Sequence, residues 1–162
     1  LKKQNFKCKL YLYTALYNSD DSVKTYKQLL ELVDQLKLKN TVEINTNFLS
    51  DQVSLDKLSN TDLVVFPYQS TNESVSGAVR QGLSSSAKVA VTPLPIFDDV
   101  SDVVFKLPGR NSSSIASGIL EWSKHHYGSE ISSRERQWRV EHSFERLAER
   151  LLGVIKSIEL NG

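Results

Sequence analysis

Short apolar segments and longer amphipathic segments follow one another along the chain. Residues 9–13 alternate between polar and apolar side chains, which is the pattern of a half-buried strand. Residues 62–66 are apolar after the first position, as is typical of a parallel strand covered on both faces. Short segments at 41–45, 88–91 and 103–105 complete the set of predicted strands.

The longer segments carry the 3.6-residue period of helices. Helices are predicted after the capping residues at 18–22 and at 50–58, 74–83, 112–127 and 131–159. The first of them places these apolar side chains on one face: Val23, Tyr26, Leu29, Leu30, Val33 and Leu36. The last has an equally regular stripe: Phe144, Leu147, Ala148, Leu151, Ile155 and Ile158.

Strands separated by helices predict an α/β fold, with a doubly wound parallel sheet, helices on both faces and further helices at the C-terminus. We expect residues 1–162 to form a single domain, since this length suffices for one well-buried core. In such sheets ligands bind beyond the carboxyl ends of the strands. The loops that follow the strands are therefore the places to look for function.

Composition narrows the class of protein. Lys and Arg number 20 against 19 Asp and Glu, and the two signs are interspersed, which argues against a nucleic-acid binder. The single cysteine, Cys8, excludes an internal disulfide and a cysteine-rich zinc site, and favours the reducing cytoplasm. No apolar run approaches the ~20 residues of a membrane span, so we expect no transmembrane segment.

The loop after the strand at 62–66 is the most informative. A polar stretch, 67–73, leads into a predicted helix that opens with small residues at 76–78. The free N–H groups and the positive dipole end of such a helix suit a phosphate. An ordinary capped helix, whose Gly77 and Gly82 only permit close packing on the sheet, explains the same residues. The residues alone leave both interpretations open.

A resemblance to a known family rests on the spacing in this segment. Phe66-Pro67-Tyr68 is followed by Glu73, seven residues, Gln81 and the short strand Ala87-Lys88-Val89-Ala90-Val91-Thr92. This resembles the donor-site segment of retaining GT-B glycosyltransferases, the group 1, family 4-like and sucrose-synthase-like enzymes. The segment 73–80, followed by 92–100, is similar to a bacterial subgroup of them, and 138–144 resembles their final helix. The resemblance implies the Rossmann-like C-terminal half of a GT-B fold.

The resemblance also implies roles for individual residues. Glu73 matches the glutamate that contacts hydroxyls of the donor sugar, and is the expected catalytic residue. Ser76, Gly77 and Ala78 fall where backbone N–H groups bind the donor diphosphate. Gln81 stands where the family has a second glutamate, which holds the ribose. This departure removes a charge-assisted hydrogen bond to the ribose diol, although Gln can still donate and accept.

Other residues are weaker candidates. Donor or base contacts are expected from Asn47, Phe48, Tyr68, Arg80 and Phe97. Arg80 fits either a solvated helix face or a phosphate contact. Asp98 and Asp99 are adjacent, so their carboxylates point apart, and no metal and no cofactor are expected.

The function that the resemblance implies is transfer of a sugar from a nucleoside diphosphate with retention at the anomeric carbon. The acceptor would be a glycan or lipid-linked molecule of a bacterial surface polysaccharide. It would be held by a preceding domain that this chain lacks, together with a strand and a basic diphosphate clamp. We expect a cytoplasmic location, either free or at the inner face of the membrane, and no turnover by this chain alone. Two alternatives stay open: a non-catalytic glycosyltransferase-like binding or scaffold module, and a doubly wound regulatory domain unrelated to sugars.

Overall fold

A computed structural model describes residues 1, 5–128 and 130–159 of the chain. Its contacts divide the chain into two compact units, Leu1–Ser54 and Leu55–Gly162. Each unit is described by itself below. That residues 1–162 make a single domain stays a prediction.

The first unit contains two parallel strands and the helix that connects them. Strand β1, Leu10–Tyr13, pairs with β2, Val42–Asn45. Helix α1, Asp20–Gln35, begins after Ser19, whose hydroxyl accepts a hydrogen bond from the backbone N–H of Ser22. Val33 is its one buried residue among those that the structure describes. Both strands and the helix confirm the predicted elements of this region.

The second unit is built on a three-stranded parallel sheet. The strands β3, Val64–Phe66, β4, Val89–Val91, and β5, Phe105–Lys106, lie in the order β3-β4-β5. Helix α2, Asp51–Ser59, crosses the boundary between the units and precedes β3. The remaining helices are α3, Gly77–Ser84, a 3₁₀ helix, Pro95–Val100, α4, Ser112–His126, α5, Ser133–Glu141, and α6, Phe144–Glu159.

The core of the second unit lies between β4, α3 and the 3₁₀ helix. Its buried apolar side chains form one cluster: Val79, Leu83, Val89, Val91, Ile96, Phe97, Val100 and Val103. Helix α3 approaches the sheet closely at Gly82, where an added Cβ would lie 3.1 Å from a ring carbon of Phe66. A side chain at position 82 would therefore require the neighbouring side chains to shift by a few tenths of an ångström, in agreement with the packing interpretation of this glycine.

Two predicted elements differ from the structure. The predicted strand at 103–105 is displaced, because Val103 closes the turn after the 3₁₀ helix by donating its N–H to the Val100 carbonyl at 3.0 Å. The single helix predicted over 131–159 is instead α5 and α6. The cause is Ser143, whose hydroxyl accepts from the backbone N–H of Arg146 and begins a new helix.

Helix α6 carries its apolar stripe on an uncovered face. None of its described residues is buried, and Phe144 retains 89% of its exposure. The stripe includes Leu151 and Ile158, which are also exposed. In the part of the chain that the structure describes, no helix has both the length and the apolar character to cross a membrane.

Candidate functional site

The start of α3 forms at the carboxyl edge of the second unit's sheet. Ser76 has an extended backbone, with φ −107° and ψ 114°, and its hydroxyl accepts from the N–H of Val79 at 3.3 Å. This is the geometry of an N-cap, and it fixes the first helical residue as Gly77. Ser76 itself is buried, at 2% exposure, and its hydroxyl is used by the cap. Its part in diphosphate binding stays a prediction.

The first two residues of α3, Gly77 and Ala78, are exposed. Their N–H groups are among those that an α-helix leaves without an intrahelical carbonyl. A Cβ built on Gly77 would meet nothing within 4 Å, so the backbone there is open to a ligand. The predicted diphosphate position therefore coincides with an open helix N-terminus, although its role stays a prediction.

Tyr68 connects the loop after β3 to this helix terminus. Its hydroxyl lies 3.3 Å from the Ser76 hydroxyl, and its ring centroid lies 5.4 Å from that of Phe97. Its backbone carbonyl accepts a 2.7 Å hydrogen bond from the Thr92 hydroxyl, which follows β4. Because Thr92 is fully buried, the loop is held against the edge of the sheet at this point.

Arg80 lies beside the same terminus. Its guanidinium donates to the Ser76 carbonyl at 3.2 Å and forms an ion pair with Asp99 on the 3₁₀ helix. The neighbouring Asp98 pairs with Lys106 at 3.2 Å. Arg80 keeps 35% of its side-chain exposure. It can therefore present positive charge to a ligand, but it shares that charge with a carboxylate.

The two residues predicted to contact the sugar and the ribose lie on either side of the terminus along the chain. Glu73 is exposed, and its backbone N–H donates to the Thr71 hydroxyl at 3.0 Å. Gln81 is half-buried and follows Gly77 by one helical turn, so the two share a face of α3. Their roles in binding stay predictions.

The other predicted contacts lie further from an open surface or in the other unit. Phe97 is 1% exposed and packs in the core, so it supports the ring of Tyr68, and its own contact with a donor would require the ring to move. Asn47 and Phe48 belong to the first unit. The Asn47 N–H donates to the Asn45 side chain at 2.9 Å, and Phe48 is 87% exposed.

Sequence reasoning missed a pair of residues that fastens the loop. The Arg110 guanidinium, just before α4, donates to the Gln69 carbonyl at 2.7 Å. The Gln69 amide donates in return to the Arg110 carbonyl at 2.8 Å and to the Pro67 carbonyl at 3.1 Å. The two residues are 41 positions apart, so no local pattern marks them as partners.

Helix α5 supports α3 from its other end. Arg139 donates to the Leu83 carbonyl at 2.7 Å, where a cation also suits the negative end of the helix dipole. Glu135 forms an ion pair of 2.9 Å with Lys88, at the start of β4. Burial raises the pKa of Glu135, but hydrogen bonds from Lys88 and Ser132 and the charge of Lys88 hold it below its usual value.

Comparisons with known proteins identify the fold. No protein-family model matches the chain, and no curated protein does. Among solved structures, it is similar to sucrose-phosphate synthase from Thermosynechococcus elongatus, with a TM-score of 0.74 over 95% of this chain and 11% sequence identity. The fold is a Rossmann-like half of the GT-B type. The chain spans 39% of the length of that synthase, and at this identity the similarity establishes the glycosyltransferase-like fold alone.

Proposed function

We propose that this chain is the nucleotide-sugar-binding half of a retaining glycosyltransferase. The observation that carries the proposal is the open N-terminus of α3, where Gly77 leaves the backbone uncovered at the carboxyl edge of a parallel sheet. This is where doubly wound folds bind their ligands. A helix terminus of this kind offers several N–H donors to one phosphate group.

The site supplies positive potential for a leaving nucleoside diphosphate. Charge that develops on the diphosphate as the glycosidic bond breaks would be stabilised by the α3 N–H groups and by its dipole. Arg80 lies next to these groups and would add to the potential when its contact with Asp99 loosens. Because the N–H groups are fixed by the Ser76 cap, they need no rearrangement during the reaction.

Glu73 is the residue assigned to the sugar. It lies three positions before the Ser76 cap on an exposed loop, so its carboxylate can reach a group attached to a phosphate at the helix terminus. In that position it would orient the sugar so that an acceptor meets one face of it. Retention at the anomeric carbon, and a glycan or lipid-linked acceptor held by another domain, are part of the proposal. So are a role in bacterial surface polysaccharide synthesis and a cytoplasmic location.

Gln81 favours a second candidate function, a glycosyltransferase-like binding module without catalysis. A glutamine lacks the charge with which a carboxylate strengthens hydrogen bonds to a ribose diol. Donor affinity would then be weaker, while the helix terminus would still bind a phosphate. The two functions differ in turnover by the full-length protein with nucleotide sugars, which only the first one predicts.

The test is an amide NMR titration of this chain with UDP, GDP and ADP in turn, followed by the corresponding nucleotide sugars. We expect one nucleotide to move the amides of Gly77, Ala78 and Gln81, with a dissociation constant of about 1 mM, because in the proposed enzyme this chain supplies only half of a two-domain site. Glu73→Ala should abolish the preference among sugars, whereas Glu121→Ala, an exposed glutamate on α4, should not. If no nucleotide moves the α3 amides, the proposal is wrong.

A variant at position 81 tests the ribose contact separately. Gln81→Glu restores the carboxylate that the resembling enzymes have and should tighten nucleotide binding about threefold to tenfold, because it strengthens hydrogen bonds to the ribose. The matched comparison is a ligand with phosphates and no ribose, such as inorganic diphosphate. Its affinity should fall slightly in this variant, because the new carboxylate repels it. Tightening for both ligands would contradict the assignment of Gln81 to the ribose.

A further inference from the structure

The contact between Gln69 and Arg110 ties together two loops at the carboxyl edge of the second unit's sheet. Residue 69 follows β3, and residue 110 lies between β5 and α4, so the contact reaches past the end of the intervening strand β4. Each residue donates a side-chain N–H to the other's backbone carbonyl, at 2.7 and 2.8 Å. Both acceptors are main-chain atoms, so the pair fixes the path of the backbone.

The loop from β3 to α3 is held unevenly. Residues 67–69 are fastened by the Gln69–Arg110 contact and by the Thr92 hydrogen bond to the Tyr68 carbonyl. Residues 70–75 are exposed except for Thr71, and the bond from the Glu73 N–H to the Thr71 hydroxyl is local to the segment. The position of Glu73 therefore depends on where residues 67–69 are held at one end and where the Ser76 cap begins at the other.

Among the described residues, no carboxylate competes with the Gln69 carbonyl for the Arg110 guanidinium. It forms no ion pair with a carboxylate there, whereas the two other cations of this edge, Arg80 and Lys106, are paired with Asp99 and Asp98. Its guanidinium is planar and charged, so a hydrogen bond from it is stronger than one from a neutral donor. Removing it would release the Gln69 carbonyl without disturbing the core.

We propose that Gln69 and Arg110 are positioning residues that set donor discrimination by holding the Glu73 loop in place. The inference rests on the proposed function, in which Glu73 contacts the sugar of a nucleoside diphosphate sugar. The diphosphate position does not depend directly on the pair, because Ser76 caps α3 through its own hydroxyl. The Tyr68 hydroxyl lies near that cap, but the Thr92 hydrogen bond holds the Tyr68 backbone without the pair. Removing the Gln69–Arg110 contact should therefore weaken the contact with the sugar and leave the contact with the nucleotide unchanged.

The test compares Arg110→Ala with the unmodified chain in dissociation constants for a nucleoside diphosphate and for its sugar derivative, both by amide NMR. We expect nucleotide affinity to stay within about twofold and the gain in affinity from the sugar to fall about tenfold, which is near the lower end of the range for the loss of one charge-assisted hydrogen bond. Arg110→Lys, which keeps the charge and loses the planar fork, should recover part of the gain. Arg134→Ala, at an arginine on α5 that is also exposed and is ion-paired with Asp102, is the matched control and should change neither constant.

Amide hydrogen exchange gives a second readout that does not use a ligand. In Arg110→Ala the amides of 70–75 should exchange faster, while those of α3 and the melting temperature stay unchanged. Gln69→Ala removes the other half of the contact and should produce the same changes, and the double variant should do little more than either one. The double variant thus shows whether the two reciprocal hydrogen bonds of the contact depend on each other.

The outcomes separate this inference from the proposed function. If nucleotides do not bind the unmodified chain, the proposed function fails and the inference fails with it. If they bind but both single variants keep the sugar preference and the exchange rates of the unmodified chain, only the inference is overturned. If Arg110→Ala unfolds, the same comparison with Gln69→Ala, which keeps the guanidinium, decides it.

Discussion

Gly77→Ala should make the protein more stable and its ligand binding weaker. The residue is the first of α3, and an added Cβ would contact nothing within 4 Å, so alanine fits the folded chain without strain. Alanine also has less backbone freedom to lose on folding than glycine. The Cα–Cβ bonds of a helix tilt toward its N-terminus, so the new methyl group would point at the approach to the free N–H groups.

The gain in stability and the loss of nucleotide affinity should both be large enough to measure. Glycine to alanine at a compatible site stabilises a protein by about 0.4–1 kcal/mol, and the first helical turn belongs at the lower end of that range. For a chain of this size the melting temperature should rise by about 1–3 °C. A methyl group that keeps a phosphate from its N–H donors should weaken nucleotide binding about tenfold or more, which corresponds to about 1.4 kcal/mol.

The assay pairs a thermal melt followed by circular dichroism with the nucleotide titration on the same sample. Gly153→Ala on α6 is the matched control, because a Cβ there also meets nothing within 4 Å. It should raise stability and leave binding unchanged. If Gly77→Ala binds the nucleotide as tightly as the unmodified chain, the close approach of a phosphate to the α3 backbone is refuted.

Three further variants test the packing behind the site. Gly82→Ala should destabilise the protein by about 1 kcal/mol in urea unfolding, because the added Cβ crowds a phenylalanine ring 3.1 Å away. Thr92→Val should cost about 1–2 kcal/mol, since the Tyr68 carbonyl loses its donor. Glu135→Gln should cost about 1–2 kcal/mol at pH 7 by removing the partner of Lys88. The folded-state pKa of Glu135 is lowered, so its contribution is present above the unfolded pKa of about 4.3 and disappears as the pH falls through the folded pKa. The difference between Glu135→Gln and the unmodified chain should accordingly shrink below about pH 4.

Local patterns predict the elements of this fold well and their pairing poorly. The strand predicted at 88–91 is found at Val89–Val91, because a short apolar run bounded by polar residues leaves few alternatives. The helix predicted over 131–159 divides because a single hydroxyl, that of Ser143, competes for a backbone N–H, which the apolar period does not reveal. That β1 pairs with β2 while β3 pairs with β4 depends on contacts between distant residues, which periodicity does not encode.

The candidate site divides in the same way. The cap at Ser76 and the small residues after it follow one another in sequence, so their geometry could be predicted. Phe97 could not be placed, because an aromatic residue in a short 3₁₀ helix suits the core as well as a ligand, and here it is buried. The Gln69–Arg110 contact could not be predicted at all, since each of the two residues lies in a segment that looks like an ordinary exposed loop.

The support of α3 by α5 limits how far the chain can be truncated for binding studies. Every donor-site residue that the sequence predicts in the second unit lies between positions 68 and 97, and Arg110 follows them. A shorter piece that ends after α4, at His126, would contain all of them. It would nevertheless lose Arg139, which holds the Leu83 carbonyl from 56 positions further along the chain, and the Lys88–Glu135 ion pair. The smallest piece worth expressing for ligand studies therefore ends beyond α5, because the far end of the binding helix is secured by residues that come long after the site.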